Sequence, residues 1–311
     1  MRAVVVRTPA GPEALELVEV PVPAAGPGQV RVKVEAAGVN PVDSVTRAGI
    51  LVEAGLMAPR EVTGIGWDVA GVVDEVGPGV TGFAPGDAVI GLRDRLDVPL
   101  GTYAEYVVLD ASALAPAPSG VPAVQAATLP LNGLTAVQAL DLLDLPHGAT
   151  LLVTGAAGAV GGFAVQLAVL RGLRVVALAG PQDEAAVREL GAEWFVPRGT
   201  AEVAATVRGL VPGGVDGALD AALLGTLALG AVRNRGAFVA VSGGAPTGLR
   251  GIRVDTVWIA ADGPALAGLA ELAARGSLTL RVADTYPLER AADAHRRLDR
   301  GGLRGRLVLL P

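Results

Sequence analysis

The alternation of apolar and polar positions divides the chain into two textures. From the start to about residue 115, RAVVV (2–6), LELVEV (15–20) and QVRVKVEAAGV (29–39) read as short strands, and the turn-forming stretch PVPAAGPG separates the last two. VAGVVDEVG, DAVIGL and AEYVVL continue the series, so residues 1–115 are expected to form a β-rich domain. After APAPSGVPAVQ the apolar runs TLLVTG, RVVALAG, EWFVP, GALDA and GAFVAVSG alternate with helix-length segments such as VGGFAVQLAVLRG and DEAAVRELG. That alternation predicts βαβ units and a parallel sheet over 116–283. The closing stretch, 284–311, holds a helix with apolar spacing and a final strand, GRLVLL, placed to rejoin the first domain.

Composition narrows the class. A chain of 311 residues with 51% apolar and 18% charged positions is long enough for two domains and too apolar for disorder. The net charge of −6 supplies no basic face for nucleic acid. With no cysteine, disulfides and thiolate metal sites are excluded. The opening MRAVVVRTPAG lacks the apolar run of a secretion leader, and a cytoplasmic enzyme is expected.

The most informative stretch is LLVTGAAGAVGGFAVQLA (151–168). About 20 uncharged residues are enough to span a bilayer, but the glycines cluster early, a strand pattern precedes them and charge returns at Arg171. Gly155, Gly158 and Gly161 have the spacing of a dinucleotide turn between a strand and a helix. Small residues there let the backbone approach a pyrophosphate, whose charge the helix N-terminus favours. Gly155, Ala157, Gly158, Ala159 and Val160 are the expected cradle, with Gly161 and Gly162 serving helix packing. The second strand ends at Gly180 with no carboxylate for ribose hydroxyls, and Gln182, Asp183 and Glu184 follow it. Arg198, past the third strand, is the nearest candidate partner for a 2′-phosphate, and equally reads as a solvated loop arginine.

AAGVNPVD, GWDVAGVVDEVGPGVTGFAPGDAVIGL, GTYAEYVV, LPLNGLTAVQAL, VTGAAGAVG, RELGAE and YPLERAADAHRRLDRGGLRGRLVL occur in order along the chain. Together they resemble the zinc-free medium-chain dehydrogenase/reductases of the quinone oxidoreductase group. The resemblance implies an α/β architecture: a GroES-like β-rich domain, completed by the C-terminal strand, plus a Rossmann domain with a doubly wound parallel sheet. It also implies a homodimer and a nicotinamide cofactor. Zinc-dependent relatives carry Cys at the position of Asn40 and Gly-His-Glu at that of GWD, where Trp67 and Asp68 now stand, so no metal is expected. By the same resemblance Asn40 lies beside the nicotinamide or the substrate carbonyl, Thr135 near the nicotinamide ribose, and Ser242 with Gly243 at the turn holding the carboxamide. From the residues alone, Asn40 also reads as a turn residue before Pro41. Asp43 and Asp68 are expected to brace loops, His147 to lie in a surface turn and His295 to pack a helix. Two tyrosines common in the group are absent: Val45 and Leu51 stand at or near their positions, while Arg47 and Gly49 keep the framework.

These readings lead to a zinc-independent, NADPH-preferring reductase of quinones or α,β-unsaturated carbonyls, with NADH as the other candidate cofactor and a small molecule as substrate. Neither nucleic acid nor a membrane is expected as a partner. Two alternatives remain open. One is a tailoring reductase of secondary metabolism acting on a bulky enoyl or polyketide-type substrate, with Val45, Leu51, Met57, Trp67 and Leu92 as pocket wall or as ordinary packing. The other is an NADPH-binding protein without catalysis.

Overall fold

The computed structural model describes residues Met1–Pro311, which divide into two compact units. The first contains Met1–Leu131 and Ala260–Pro311, the second Asn132–Ile259.

The first unit is built on the strand Gln29–Val39, whose buried positions alternate through Val30, Val32 and Val34 before the strand becomes buried on both faces. Its length lets it serve different partners at its two ends. Gln29–Lys33 pairs antiparallel with Tyr106–Asp110, and Ala37–Val39 pairs antiparallel with Leu307–Leu309 of the C-terminal strand Arg306–Leu310. The full sheet runs Val282–Pro287, Arg306–Leu310, Gln29–Val39, Asp68–Val76, Ala88–Leu92, Leu114–Pro116, with Tyr106–Asp110 also on Gln29–Val39. A smaller sheet joins Glu16–Glu19, Arg2–Val6 and Thr63–Gly64. One apolar core, including Val30, Val69, Tyr103 and Leu309, lies between these elements.

The first unit extends further along the chain than its strand pattern predicts. Residues 116–131 and 260–283, expected in the parallel-sheet domain, belong here. Leu114–Pro116 pairs with Ala88–Leu92, Ala123–Ala126 packs on the central strands, and the helix Gly263–Ala274 lies on Leu114–Pro116. A Cβ at Gly263 would stand 2.5 Å from the Leu114 carbonyl oxygen, so this helix docks through its missing side chain. Strand patterning also passes over the helix Pro41–Arg47, although its start is marked by Pro at the first position and Asp43 at the third.

The second unit is a parallel sheet in the order Trp194–Pro197, Arg174–Ala179, Thr150–Thr154, Val215–Asp220, Val232–Ala240, Arg253–Thr256. This is the doubly wound order in which dinucleotides bind at the carboxyl ends of the strands. Five of the strands follow the apolar runs; the sixth, Arg253–Thr256, has no fully buried residue and gives no such run. The stretch 151–170 resolves into a strand, a turn and the 12-residue helix Ala159–Leu170. No helix is long and apolar enough to cross a membrane.

Gly161 fixes how closely that helix meets its turn, because a Cβ there would lie 2.2 Å from the Gly155 carbonyl oxygen and 2.7 Å from its carbon. Gly161→Ala therefore forces backbone apart and is expected to cost about 1–3 kcal/mol of stability. Urea unfolding measures this, and an unchanged midpoint would show that the helix and turn are not in contact.

Candidate active site

Asn40 ends the central strand of the first unit and caps the helix Pro41–Arg47. It is fully buried, as are Asp43 and Asp68. The Asn40 backbone N–H donates to Asp43 Oδ2 at 2.7 Å, and its amide Nδ2 donates to Asp68 Oδ2 at 2.7 Å. Asp68 Oδ1 accepts the Leu131 N–H at 2.6 Å. Because a carboxylate takes the amide nitrogen, the orientation of the Asn40 side chain is determined. Gly38 makes room for this arrangement, since a Cβ there would meet Asp68 Oδ2 at 2.6 Å. Burial pushes the Asp43 carboxyl up to about 7 and that of Asp68 up to about 6, against the hydrogen bonds each accepts. The buried guanidinium of Arg306, on the C-terminal strand, favours the ionised form of both.

A second chain of hydrogen bonds reaches Asp43 from the C-terminal helix Ala291–Asp299. Arg47 Nη1 lies 2.9 Å from His295 Nδ1, His295 Nε2 lies 3.3 Å from the Tyr103 hydroxyl, and that hydroxyl donates to Asp43 Oδ2 at 3.0 Å. Arginine can only donate, so Nδ1 accepts, Nε2 carries the proton, and every bond points toward Asp43. Burial, with Arg47 adding to it, holds His295 down to about 4, leaving it neutral. Burial and the neighbouring Asp43 raise the Tyr103 phenol well above its ordinary value.

In the second unit the glycine turn opens the helix Ala159–Leu170 with Gly158 as its cap, and no side chain caps the helix and no acidic residue stands in its first turn. Gly155 adopts a φ of 62°, which favours glycine. A Cβ at Gly158 would meet only the Gly155 carbonyl oxygen, at 3.1 Å. A helix start with neither a side-chain cap nor an acidic residue fits a pyrophosphate. Asp220, at the end of Val215–Asp220, fixes the adjoining loop: it accepts Thr154 Oγ1 at 2.5 Å and the N–H groups of Ala222, Leu224 and Gly225.

The other predicted positions are placed as follows. Thr135 is buried in the helix Pro130–Leu143, and Ser242 and Gly243 lie exposed after Val232–Ala240. Gly180 ends Arg174–Ala179, where a Cβ would meet Gln182 Nε2 at 2.6 Å and Asp183 Oδ2 at 2.8 Å. Arg198 is exposed, and its N–H donates to the Ala179 carbonyl, which sets it beside the same strand end. Leu51, Met57, Trp67 and Leu92 are buried and Val45 half-buried. Met57 N–H bonds the Leu51 carbonyl, and Trp67 directly precedes Asp68, the strand partner of Leu92. His147 is exposed, whereas His295 does more than pack its helix: both ring nitrogens are engaged. Sequence reasoning passed over Tyr103, Arg306 and Asp220. For Tyr103 the signal was present, as the first of the two tyrosines of GTYAEYVV, directly after Gly101 and Thr102.

The raised carboxyls predict a pH dependence of stability. A carboxyl whose folded value lies above its ordinary 3.8 stabilises the fold fully below that value, and the contribution is lost as pH rises through about 6 for Asp68 and about 7 for Asp43. His295 acts oppositely, its contribution being present above 6.5 and lost as pH falls through about 4. The melting temperature should decline between about pH 4 and 7, and Asp43→Asn should flatten the upper part of that decline. Parallel profiles for the two proteins would remove Asp43 as its origin.

Residues 26–119 match the family described as alcohol dehydrogenase GroES-like domain, and residues 190–309 match the one described as zinc-binding dehydrogenase. A 2-haloacrylate reductase of Burkholderia sp is 32% identical over 99% of this chain and 98% of its own. A chloroplast envelope quinone oxidoreductase homolog of Arabidopsis thaliana is 39% identical over 63% of this chain and 60% of its own. The pikromycin polyketide synthase component PikAII of Streptomyces venezuelae is 44% identical over 53% of this chain, which spans only 4% of that synthase. Among solved structures, the quinone oxidoreductase of Coxiella burnetii superposes with a TM-score of 0.88 at 28% identity, covering 100% of this chain and 99% of that one. A mycobacterial protein complexed with NADPH gives 0.84 at 30% identity, covering both chains completely. With GroES-like and Rossmann-like parts in order and relatives matched over nearly its whole length, the chain belongs to the medium-chain dehydrogenase/reductase family and is quinone oxidoreductase-like.

Proposed function

We propose that this protein is a zinc-independent, NADPH-preferring reductase that transfers hydride to quinones or α,β-unsaturated carbonyls. The observation that carries the reading is Asn40, a buried amide oriented by Asp68 and held through its backbone by Asp43. An oriented amide can position an acceptor's carbonyl by hydrogen bonding, and orientation is what hydride delivery chiefly requires. When bound, the nicotinamide supplies the hydride. Gly155, Ala157, Gly158, Ala159 and Val160 would hold its pyrophosphate, with Thr135, Ser242 and Gly243 toward the nicotinamide end. The name of the Burkholderia relative, a reductase of a conjugated acid, supports the unsaturated-carbonyl branch. The polyketide synthase relative supports the alternative of a bulky enoyl substrate in secondary metabolism.

The residues at the former ligand positions do not fit zinc. Asn40 and Trp67 are poor donors, Asp68 is committed to Asn40 and Leu131, and no group of three or more His, Cys, Asp or Glu could hold a metal ion. The homodimer reading is supported by the edge strand Arg253–Thr256, which pairs on one side only, and by Trp258 beside it, 73% exposed.

Stopped-flow oxidation of NADPH by quinone and enone panels tests the activity. Turnover is expected with at least one class; nucleotide binding with no acceptor reduced would leave a non-catalytic NADPH-binding protein. Gly158→Asp brings a negative charge to the helix start and should abolish NADPH binding in a folded protein, and unchanged affinity would place the cradle elsewhere.

Nucleotide preference depends on opposed charges at the end of Arg174–Ala179. Asp183 disfavours a 2′-phosphate and Arg198 favours one, so a preference of about tenfold to a hundredfold for NADPH is expected if Arg198 pairs with it. The ratio of NADPH to NADH dissociation constants should fall toward one in Arg198→Ala. Tighter NADH binding in the wild type would overturn the preference.

A further inference from the structure

The first unit contains two guanidinium groups that share a single acceptor. Arg60 Nη1 donates to the Val98 carbonyl oxygen at 2.7 Å, and Arg93 Nη2 donates to the same oxygen at 2.9 Å. Arg93 is 6% exposed, and its Nε is buried without a hydrogen-bond partner. The carboxylates that act on Arg93 from a distance form no ion pair with it: Asp97 is bonded to Arg95, Asp94 to the Ala261 N–H, and Asp43 through Oδ2 to Asn40 and Tyr103, its Oδ1 being buried without a partner. Burial, and then the neighbouring Arg60, pull Arg93 down to about 10, so it remains charged at neutral pH. A buried cation crowded by a second cation and lacking a counter-ion is costly. The arrangement becomes favourable when an anion with two acceptor oxygens joins it.

The position of the pair suggests which anion. Arg93 directly follows the strand Ala88–Leu92, and its N–H donates to the Trp67 carbonyl at 2.8 Å. The adjacent register pair is Asp68 with Leu92, and Asp68 is the residue that orients Asn40. A cation without a counter-ion and the amide assigned to the acceptor's carbonyl therefore arise from neighbouring strand positions, with Trp67 and Leu92 as apolar company.

We propose that Arg93, assisted by Arg60, binds a carboxylate on the acceptor, so that the preferred substrates are α,β-unsaturated acids rather than neutral quinones or enones. This rests on the reductase reading and specifies its substrate class. In the reaction the Cα–Cβ π bond is broken. Two electrons and one hydrogen arrive at Cβ as hydride from the reduced nicotinamide dinucleotide, which leaves oxidised, and a proton from water completes Cα. A carboxylate is a weak acceptor because hydride addition builds a second negative charge on its oxygens. Two guanidinium groups placed to receive those oxygens offset that charge as it develops.

The test compares hex-2-enoate with its methyl ester in wild type, Arg93→Met and Arg60→Gln, by NADPH turnover and by calorimetric titration of each compound. The acid should exceed the ester in kcat/KM by about tenfold or more in the wild type, and either substitution should remove that advantage by lowering turnover and binding of the acid more than those of the ester. Arg60 is half-buried, so its variant keeps the test decisive if Arg93→Met does not fold. Equal handling of acid and ester by wild type overturns the proposal and leaves the reductase reading intact. Arginine-dependent binding of the acid without turnover of any acceptor supports the carboxylate site and removes the reductase reading. Absence of arginine-dependent binding overturns the site.

Discussion

Asp43 and Asp68 have no exposed surface, and removing two carboxylates from water is costly unless each finds donors. Much of the first unit can be understood as supplying them. Asn40 gives its backbone N–H to one and its amide to the other, the start of the helix Pro130–Leu143 gives the Leu131 N–H, and Tyr103 gives its hydroxyl. The C-terminal strand contributes Arg306, whose charge acts on both carboxyls, and the helix before it contributes His295, which orients Tyr103. The last segment of the chain is therefore part of the site. Its return to the central strand brings the only cation that favours both ionised carboxyls.

The second unit uses the same device in a different setting. Asp220 is buried at a strand end and accepts a hydroxyl and three backbone N–H groups, which fixes the loop that follows. A Cβ at Gly155 would meet the Ala221 carbonyl oxygen of that loop at 3.1 Å. The turn thus meets the helix start at Gly161 on one side and a carboxylate-held loop on the other. Rigidity on both sides keeps the helix N–H groups directed at one place, which a phosphate site requires.

Much of this was legible in the sequence where a local rule governs it. The glycine spacing identified the turn, the apolar runs identified five of six parallel strands, and the alternation in QVRVKVEAAGV identified the central strand with its bounds. Asp43 and Asp68 were expected to brace loops, and each does so through Asn40. The unread features depend on partners far apart in the chain. The Tyr103 hydroxyl meets His295 across 192 positions, and Arg47 meets the same ring across 248, separations that no window pattern registers. The edge strand Arg253–Thr256 went unread for a different reason: with little burial it needs no apolar run. The place of 116–131 and 260–283 in the first unit follows from pairing by Leu114–Pro116 and docking at Gly263, both long-range events.

Tyr103 bears on where the product's proton originates. A buried phenol is an obvious candidate acid in a chain with Val45 and Leu51 at or near the positions where the family resemblance leads one to expect tyrosines. Its surroundings argue against that role. Its proton is directed into Asp43, its oxygen accepts from His295, and burial beside Asp43 raises it well above its ordinary value, so releasing a proton would place a second negative charge against an existing carboxylate. His295 is no better suited, because the Arg47 contact and burial keep it neutral and its single proton is committed to Tyr103. The chain from Arg47 to Asp43 is therefore a positioning device that keeps the Asn40 backbone in place. On the proposed reading, protonation of the product would then be left to water, which suits acceptors whose reduced forms take up a proton readily from solvent.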